Sequence, residues 1–154
     1  MQKANLLDIF GDTYYIYIKG AIMENVKEPA CRKLRVMIIE DDDTIRKLLA
    51  IEFKRRGHEI LEFADTAAAM LILNRQPKPG LDAAIVDLMN IGYGGNMGDW
   101  LRKMKEYMSI AVLYYTALTR QQFDSRILDK PNIYYMHKEP GSIKQVVEKI
   151  ENVC

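Results

Sequence analysis

The stretch RVMIIEDDDTIRKLL, residues 35–49, joins a short apolar run to four acidic residues and then to a segment with helical periodicity. The apolar run at residues 36–39 is uninterrupted, which is typical of a strand covered by helices on both faces. Apolar residues then follow with helical spacing at Ile45, Leu48, Leu49 and Phe53. The stretch predicts a buried strand and an amphipathic helix, with carboxylates at the turn between them.

The same alternation repeats along the rest of the chain. Continuous apolar runs occupy residues 83–86, 111–115 and 133–136, and a weaker run at 60–63 is predicted as an edge strand. Amphipathic segments lie between these runs. Strands that alternate with helices are typical of βα units around a mostly parallel sheet. The predicted fold class is therefore α/β.

Capping residues and apolar spacing predict where the helices lie. Asp65 can cap a helix over residues 66–74. Ser142, with Gln145 three residues later, has the pattern of a capping box for the last helix. A helix within residues 120–128 has few apolar side chains, so we expect it to pack weakly and to be able to move.

Composition narrows the class of protein. The 154 residues are 49% hydrophobic and 28% charged, which is ordinary for a globular domain. Lys plus Arg number 22 against 21 Asp plus Glu, so the basic surface of a nucleic-acid binder is not expected. Cys31 and Cys154 have no CxxC spacing, and no apolar run reaches the roughly 20 residues of a membrane span. We expect a cytoplasmic protein without direct nucleic-acid or membrane binding.

The first part of the chain does not follow the alternation. Residues 1–33 are predicted as an N-terminal extension of unknown structure, and residues 34–154 as the folded domain. Residues 14–18 could form a strand. Two interpretations stay open for the extension: a disordered or loosely docked segment, and an added strand or dimerisation arm.

Polar side chains stand where several of the predicted strands end. These residues are Glu40, Asp41, Asp87, Thr116 and Lys138. The carboxyl ends of parallel strands meet at one edge of a sheet, so we expect these side chains to converge. Carboxylate oxygens suit Mg²⁺, an aspartate can accept a phosphoryl group, and an ammonium and a hydroxyl can hold its oxygens. The set predicts a phosphoryl-transfer site.

Other polar residues have simpler explanations. Asp42 and Asp43 are predicted to cap the first helix. His58 and His137 have no partner at metal-ligand spacing, so we assign them no function. Asp87 differs from these residues, because an unpaired carboxylate at the end of a buried strand is costly.

Taken together, these motifs resemble response-regulator receiver domains. Residues 35–49 are similar to the family's first strand and helix, with its acidic pair at Glu40 and Asp41. Three further segments match: AAIVDLM (83–89) with the phosphoacceptor at Asp87, LYYTAL (113–118) with the switch threonine at Thr116, and YYMHKEP (134–140) with the lysine at Lys138.

The resemblance implies a fold and a metal site. The fold is a doubly wound, flavodoxin-like (βα)5 sandwich whose five-stranded parallel sheet has the order 2-1-3-4-5. Mg²⁺, or another divalent cation such as Mn²⁺, would be held by Glu40, Asp41, Asp87 and the backbone carbonyl of Met89. Tyr135 would be the aromatic switch residue, although plain packing in the sheet could also explain it.

The resemblance also implies a function and partners. Asp87 would receive a phosphoryl group from a sensor histidine kinase or a phosphotransfer protein. The domain would catalyse its own phosphorylation and dephosphorylation without being a conventional turnover enzyme. Met89 and Leu118 occupy the positions that tune hydrolysis, and their apolar side chains predict slow loss of phosphate. The chain ends shortly after the last helix, so we expect a stand-alone monomer or weak homodimer that signals through a separate protein.

Two departures from the family's pattern motivate alternatives. The stretch NIGYGGNMGDW, residues 90–100, replaces a shorter turn and contains four glycines, and Lys138-Glu139-Pro140 replaces a Lys-Pro pair. One alternative is a pseudo-receiver that binds partners without phosphoryl chemistry. A phosphatase of the haloacid dehalogenase kind is disfavoured, because it expects an acid at the position of Met89.

Overall fold

The structure is a computed structural model that describes residues 14–18, 21–26, 32–76, 80–89, 97–122 and 125–154. The chain divides into two compact units, Met1–Arg32 and Lys33–Cys154. In the first unit, β1 (Tyr14–Ile18) pairs antiparallel with β2 (Ala21–Val26). The strand predicted at residues 14–18 is confirmed, whereas its hairpin partner β2 was not predicted.

The second unit is a parallel sheet with connecting helices. Its strands are β3 (Arg35–Ile39), β4 (Glu59–Phe63), β5 (Ala83–Val86), β6 (Ala111–Thr116) and β7 (Ile133–His137). Its helices are α1 (Asp43–Arg55), α2 (Thr66–Arg75), α3 (Met97–Lys103), α4 (Ser125–Leu128) and α5 (Ile143–Val153). The strand order is β4-β3-β5-β6-β7, which confirms the predicted α/β fold and its order 2-1-3-4-5.

Each face of the sheet has its own hydrophobic core. On one face, Tyr114 and its neighbours pack with residues of α2 and α3, including the partly buried Trp100. On the other face, Tyr115 packs with residues of α1 and α5, such as Phe53 and Val147. Every residue of β6 is buried, because both faces of this strand are covered. Strands with helices on both faces have buried side chains on both sides, which explains the continuous apolar runs in the sequence.

The ends of α1 and α2 follow the predicted capping signals. Asp42 Oδ1 accepts hydrogen bonds from the backbone of Thr44 at 2.8 Å and Ile45 at 3.1 Å. Gly57, with φ of 89°, allows the sharp turn that ends α1. Asp65 Oδ1 accepts from Ala68 N at 2.6 Å, as predicted for the start of α2. Among the described residues, no helix is both long and apolar enough to cross a bilayer.

Two predictions about the later helices need correction or refinement. The capping box at Ser142 is wrong, because the Ser142 side chain makes no capping hydrogen bond to α5. Its hydroxyl instead contacts Tyr115 and Glu139. The weakly packing fourth helix is only the four-residue α4, whose Ile127 and Leu128 lie against the core. Phe123, part of the predicted apolar side, lies outside the described residues.

His58 ties the end of α1 to α5 at the edge of the sheet opposite the predicted site. Its buried ring accepts a hydrogen bond at Nδ1 from Leu34 N, at 3.2 Å. Since Nδ1 is the acceptor, Nε2 carries the proton and donates to Glu151 Oε1 at 3.0 Å. Arg56 Nη1 donates to the other oxygen of Glu151 at 2.7 Å. His58 therefore has a structural role, since its two ring nitrogens join the backbone before β3 to α5.

We expect His58→Leu to lower the free energy of unfolding by about 1–3 kcal/mol, because the buried Leu34 N–H would lose its acceptor. Urea denaturation followed by circular dichroism measures this change. His58→Asn is the matched control, since its amide oxygen can take the place of Nδ1, and it should cost less. Equal losses in the two variants would show that the hydrogen bond to Leu34 is unimportant.

Candidate functional site

Backbone pairing in the sheet fixes the positions of the polar residues at its carboxyl edge. Glu40 follows β3 directly, and its N–H donates to Phe63 O at 3.1 Å. Asp87 follows β5, with its N–H donating to Ile39 O at 2.9 Å. Lys138 follows β7 and donates its N–H to Thr116 O at 2.7 Å. The backbone hydrogen bonds between strands thus extend one residue beyond each strand, to Glu40, Asp87 and Lys138.

Three carboxylates form an acidic cluster at this edge. One oxygen from each of Glu40, Asp41 and Asp87 lies within 4.8 Å of the others. Glu40 is 2% exposed and Asp87 is 4% exposed, whereas Asp41 faces solvent. Two of the three carboxylates are therefore buried, and the third, Asp41, is accessible to solvent.

Lys138 brings a positive charge into the cluster. Its Nζ lies 2.7 Å from Glu40 Oε2 and 2.8 Å from Asp87 Oδ2. Burial by itself would lower the pKa of Lys138, but hydrogen bonds to Asp87 and Glu40 outweigh burial and raise it. Burial raises the pKa of Glu40, although Lys138 opposes this shift. Lys138 reaches the acids even though Glu139 follows it where the family has proline.

The cluster fits a divalent cation. The three carboxyl groups outnumber the single ammonium that contacts two of them. Hard carboxylate oxygens near an opening to water are the ligands that Mg²⁺ prefers. Met89 N donates to Asp87 Oδ1 at 3.0 Å, which orients that carboxylate. The role of the Met89 carbonyl as a metal ligand stays a prediction, and residues 90–96 of the adjoining loop lie outside the described residues.

The two predicted switch residues contact the segment after β6. Thr116 is fully buried, and its Oγ1 accepts from Leu118 N at 3.3 Å. The partly buried Tyr135 donates its hydroxyl hydrogen to Leu118 O at 2.6 Å. Within the described parts of the chain, Thr116 makes no hydrogen bond to the acidic cluster. Both side chains therefore meet at Leu118, and their switch roles stay predictions.

The sequence did not point to some residues around the site. Arg46 Nη1 donates to Glu40 O at 2.7 Å and so holds the backbone of the acidic pair. Its position in the first turns of α1, near the acids, was the available signal. Tyr115 and Ser142, which share a hydrogen bond of 2.7 Å, gave no signal, since they are 27 residues apart.

Comparison of sequences finds one partial likeness. No protein-family model matches the chain. Residues of this chain are 29% identical over 83 positions to the "uncharacterized transcriptional regulatory protein YrkP" of Bacillus subtilis (strain 168). The match covers 54% of this chain and 33% of that protein, so the chain spans about a third of the relative's length.

Comparison with solved structures gives broad agreement. The receiver domain of Francisella response regulator 1452 superposes with a TM-score of 0.65 at 20% identity, covering 79% of this chain and 96% of that one. Thermotoga maritima TrrA, solved with Mg²⁺–BeF, gives 0.63 at 22% identity over 79% and 99%. Vibrio cholerae chemotaxis protein CheY4 gives 0.65 at 18% identity over 79% and 99%. The unit Lys33–Cys154 therefore has the fold of response-regulator receiver domains, as the sequence motifs predicted.

Proposed function

We propose that this chain is a response-regulator receiver domain that accepts a phosphoryl group on Asp87 in a Mg²⁺-dependent reaction. The observation that carries the proposal is the contact of the Lys138 ammonium with both Asp87 and Glu40, beside Asp41. One partly enclosed edge of the sheet then holds the proposed nucleophile Asp87, two further carboxylates and the ammonium of Lys138. The donor would be a sensor histidine kinase or a phosphotransfer protein.

In the proposed reaction, an oxygen of Asp87 forms a bond to phosphorus while the bond from phosphorus to the donor's imidazole nitrogen breaks. The Lys138 ammonium, now 2.8 Å from Asp87 Oδ2, would pair with an oxygen of the incoming group. Mg²⁺, held by Glu40, Asp41 and Asp87, would neutralise charge on the phosphoryl and carboxylate oxygens. The Thr116 hydroxyl, which now accepts from Leu118 N at 3.3 Å, would turn to donate its hydrogen to a phosphoryl oxygen and would release Leu118 N as it turns.

The proposed signal is a rearrangement of the segment after β6. Thr116 and Tyr135 both hold this segment through Leu118, so a change at Thr116 alters what Tyr135 can bind. A phosphorylated state that favours another arrangement would shift the population toward it. We propose that a downstream protein recognises this state, in a cytoplasmic pathway and with this chain as a monomer or weak homodimer.

Labelling with acetyl phosphate tests the proposal directly. Wild type and Asp87→Asn are incubated with acetyl phosphate and Mg²⁺, and their intact masses are measured. Wild type should gain the mass of one phosphoryl group, and Asp87→Asn should gain none. Omitting Mg²⁺ should suppress the gain. An unmodified wild type would contradict the proposal.

The alternative of a pseudo-receiver has a distinct signature. The glycine-rich loop at residues 90–98 follows the proposed nucleophile and motivates this alternative. A pseudo-receiver would show no labelling, yet would keep its fold and its partner surfaces. Titration with Mg²⁺, followed by the fluorescence of Trp100 and by calorimetry, then shows whether the acidic cluster binds a cation without phosphoryl chemistry.

Met89→Asn should shorten the lifetime of the phosphorylated protein. Met89 lies two residues after Asp87, the position that tunes hydrolysis in the receiver family, and its apolar side chain is 56% exposed. An amide could orient an attacking water. The lifetime is measured by intact mass after acetyl phosphate is removed. Met108→Asn is the matched control, since Met108 is 57% exposed on another loop, and it should leave the lifetime unchanged. An unchanged or longer lifetime in Met89→Asn would contradict this prediction.

A further inference from the structure

The segment between β7 and α5 carries Lys138 and has one backbone hydrogen bond within it, from Ser142 N to Glu139 O at 3.1 Å. The sheet ladder reaches Lys138 N, which donates to Thr116 O at 2.7 Å. Beyond it, Pro140 has no N–H to donate, and Gly141 turns the chain at φ of 80°. The direction of the Lys138 side chain therefore depends on what holds the next residue, Glu139.

The Ser142 hydroxyl contacts both backbone groups of Glu139 and is the only one of the two Ser142 donors to Glu139 O that a substitution to alanine removes. It donates to Glu139 O at 2.7 Å and accepts from Glu139 N at 3.3 Å. A serine hydroxyl has one proton, and the bond to Glu139 O uses it. The Tyr115 hydroxyl, 2.7 Å from Ser142 Oγ, must then donate to Ser142. Tyr115 and Ser142 are both buried, so water does not compete for the bond between their hydroxyls.

Tyr115 reaches Lys138 in a second way. Its ring centroid lies 5.7 Å from Lys138 Nζ, within the range of a cation–π contact. Tyr115 also belongs to β6, a strand buried along its whole length. A rigid strand therefore anchors both the ammonium of Lys138 and, through Ser142, the backbone of Glu139.

We propose that Tyr115 and Ser142 are positioning residues for phosphoryl transfer, whose linked hydroxyls hold Glu139 and thereby keep the Lys138 ammonium on Asp87. The inference rests on the proposed function of the site. In the test reaction, an Asp87 oxygen bonds to phosphorus and the bond from phosphorus to acetate oxygen breaks. Lys138 would meet the transferred oxygens in that step, and its misplacement by about 1 Å can slow such a step up to 100-fold.

The test compares initial rates of labelling by acetyl phosphate and Mg²⁺ in full-length variants, read by intact mass. Ser142→Ala and Tyr115→Phe should each be slower than wild type by about tenfold. Ser142→Thr keeps the hydroxyl and should restore most of the rate. The double variant should be no slower than the slower single variant, because the two hydroxyls act as one unit.

Tyr114→Phe is the matched control for a loss of stability. Tyr114 is the neighbouring residue, and its buried hydroxyl accepts from Gly98 N at 3.0 Å on the opposite face of the sheet. This variant should be less stable but should be labelled at a rate near that of wild type. Affinity for Mg²⁺, measured by calorimetry, should be unchanged in Ser142→Ala, since the three carboxylates remain.

The outcomes separate the inference from the function on which it rests. If wild type is labelled and both Ser142→Ala and Tyr115→Phe match its rate, the positioning role is overturned while the proposed function stands. An equal slowing in Tyr114→Phe also overturns the positioning role, because general destabilisation then explains it. An unlabelled wild type removes the proposed function, and the inference with it. Should Ser142→Ala fail to fold, Tyr115→Phe, which keeps the packed ring, decides the question.

Discussion

Lys138→Met should lower the free energy of unfolding by about 3 kcal/mol at neutral pH without divalent cations. The Lys138 ammonium pairs with Glu40 at 2.7 Å and with Asp87 at 2.8 Å, and both carboxylates are buried. Removing one partner leaves buried charge without compensation, which is more costly than losing an exposed ion pair. Urea denaturation in the presence of a chelator measures the difference.

Mg²⁺ and acid should each recover part of this loss. A cation bound by the carboxylates stabilises the folded state by mass action. Burial raises the pKa of Glu40 above its unfolded value, and removal of Lys138 would raise it further. The deficit is therefore full above the folded pKa of Glu40 and shrinks as the pH falls through it, because protonated Glu40 needs no cation.

Lys144→Met is the control for the loss of a lysine. Lys144 lies on the exposed side of α5, with its Nζ 3.9 Å from Glu148. This substitution should change the stability by no more than about 0.5 kcal/mol. If Lys138→Met were as stable as wild type under the same conditions, the pairing in the cluster would contribute no net stability.

Gly98→Ala should destabilise the protein by about 2 kcal/mol, even though alanine is the better helix former. Gly98 is in the first turn of α3, where an added Cβ would lie 2.7 Å from Tyr114 Oη and 3.3 Å from Ile133 Cδ1. Tyr114 is fully buried, so its ring cannot move aside without disturbing the core. The clash therefore outweighs the gain in helix propensity.

Tyr114→Phe should reverse the sign of this effect. That substitution alone leaves the Gly98 N–H without its acceptor, at a cost of about 1–3 kcal/mol. In the same background, Gly98→Ala no longer meets the hydroxyl, and Ile133 Cδ1 at 3.3 Å is the end of a flexible side chain that can shift, so we expect a gain of up to about 1 kcal/mol of helix propensity. A double-mutant cycle from denaturation curves measures the reversal. An equal penalty for Gly98→Ala in both backgrounds would rule out the hydroxyl clash as its cause.

The strands were predictable because buried strands have continuous runs of apolar residues in the sequence. The runs at residues 83–86, 111–115 and 133–136 became β5, β6 and β7 almost residue for residue. The order of the strands came from the resemblance to a family, since hydrophobic periodicity does not specify neighbours. The partner strand β2 was missed, because Glu24 and Asn25 interrupt its apolar pattern.

The site was predictable as far as the backbone determines it. Parallel strands bring their carboxyl ends to one edge, so the meeting of Glu40, Asp87 and Lys138 follows from their positions after strands. Side-chain partners across long separations were not predictable. Ser142 has the sequence pattern of a helix cap, but the nearby hydroxyl of Tyr115 and the Glu139 backbone compete for its hydroxyl.

The adjacent tyrosines of β6 bear on how natural variants of this chain should be interpreted. Tyr114 and Tyr115 use their hydroxyls on opposite faces of the sheet, one at the start of α3 and the other at Ser142. Amino-acid substitution matrices rank tyrosine to phenylalanine among the mildest exchanges. At these two positions we expect that ranking to fail in different ways: phenylalanine at 114 should make room for a larger residue at 98, whereas phenylalanine at 115 should leave the fold intact and slow the proposed labelling of Asp87.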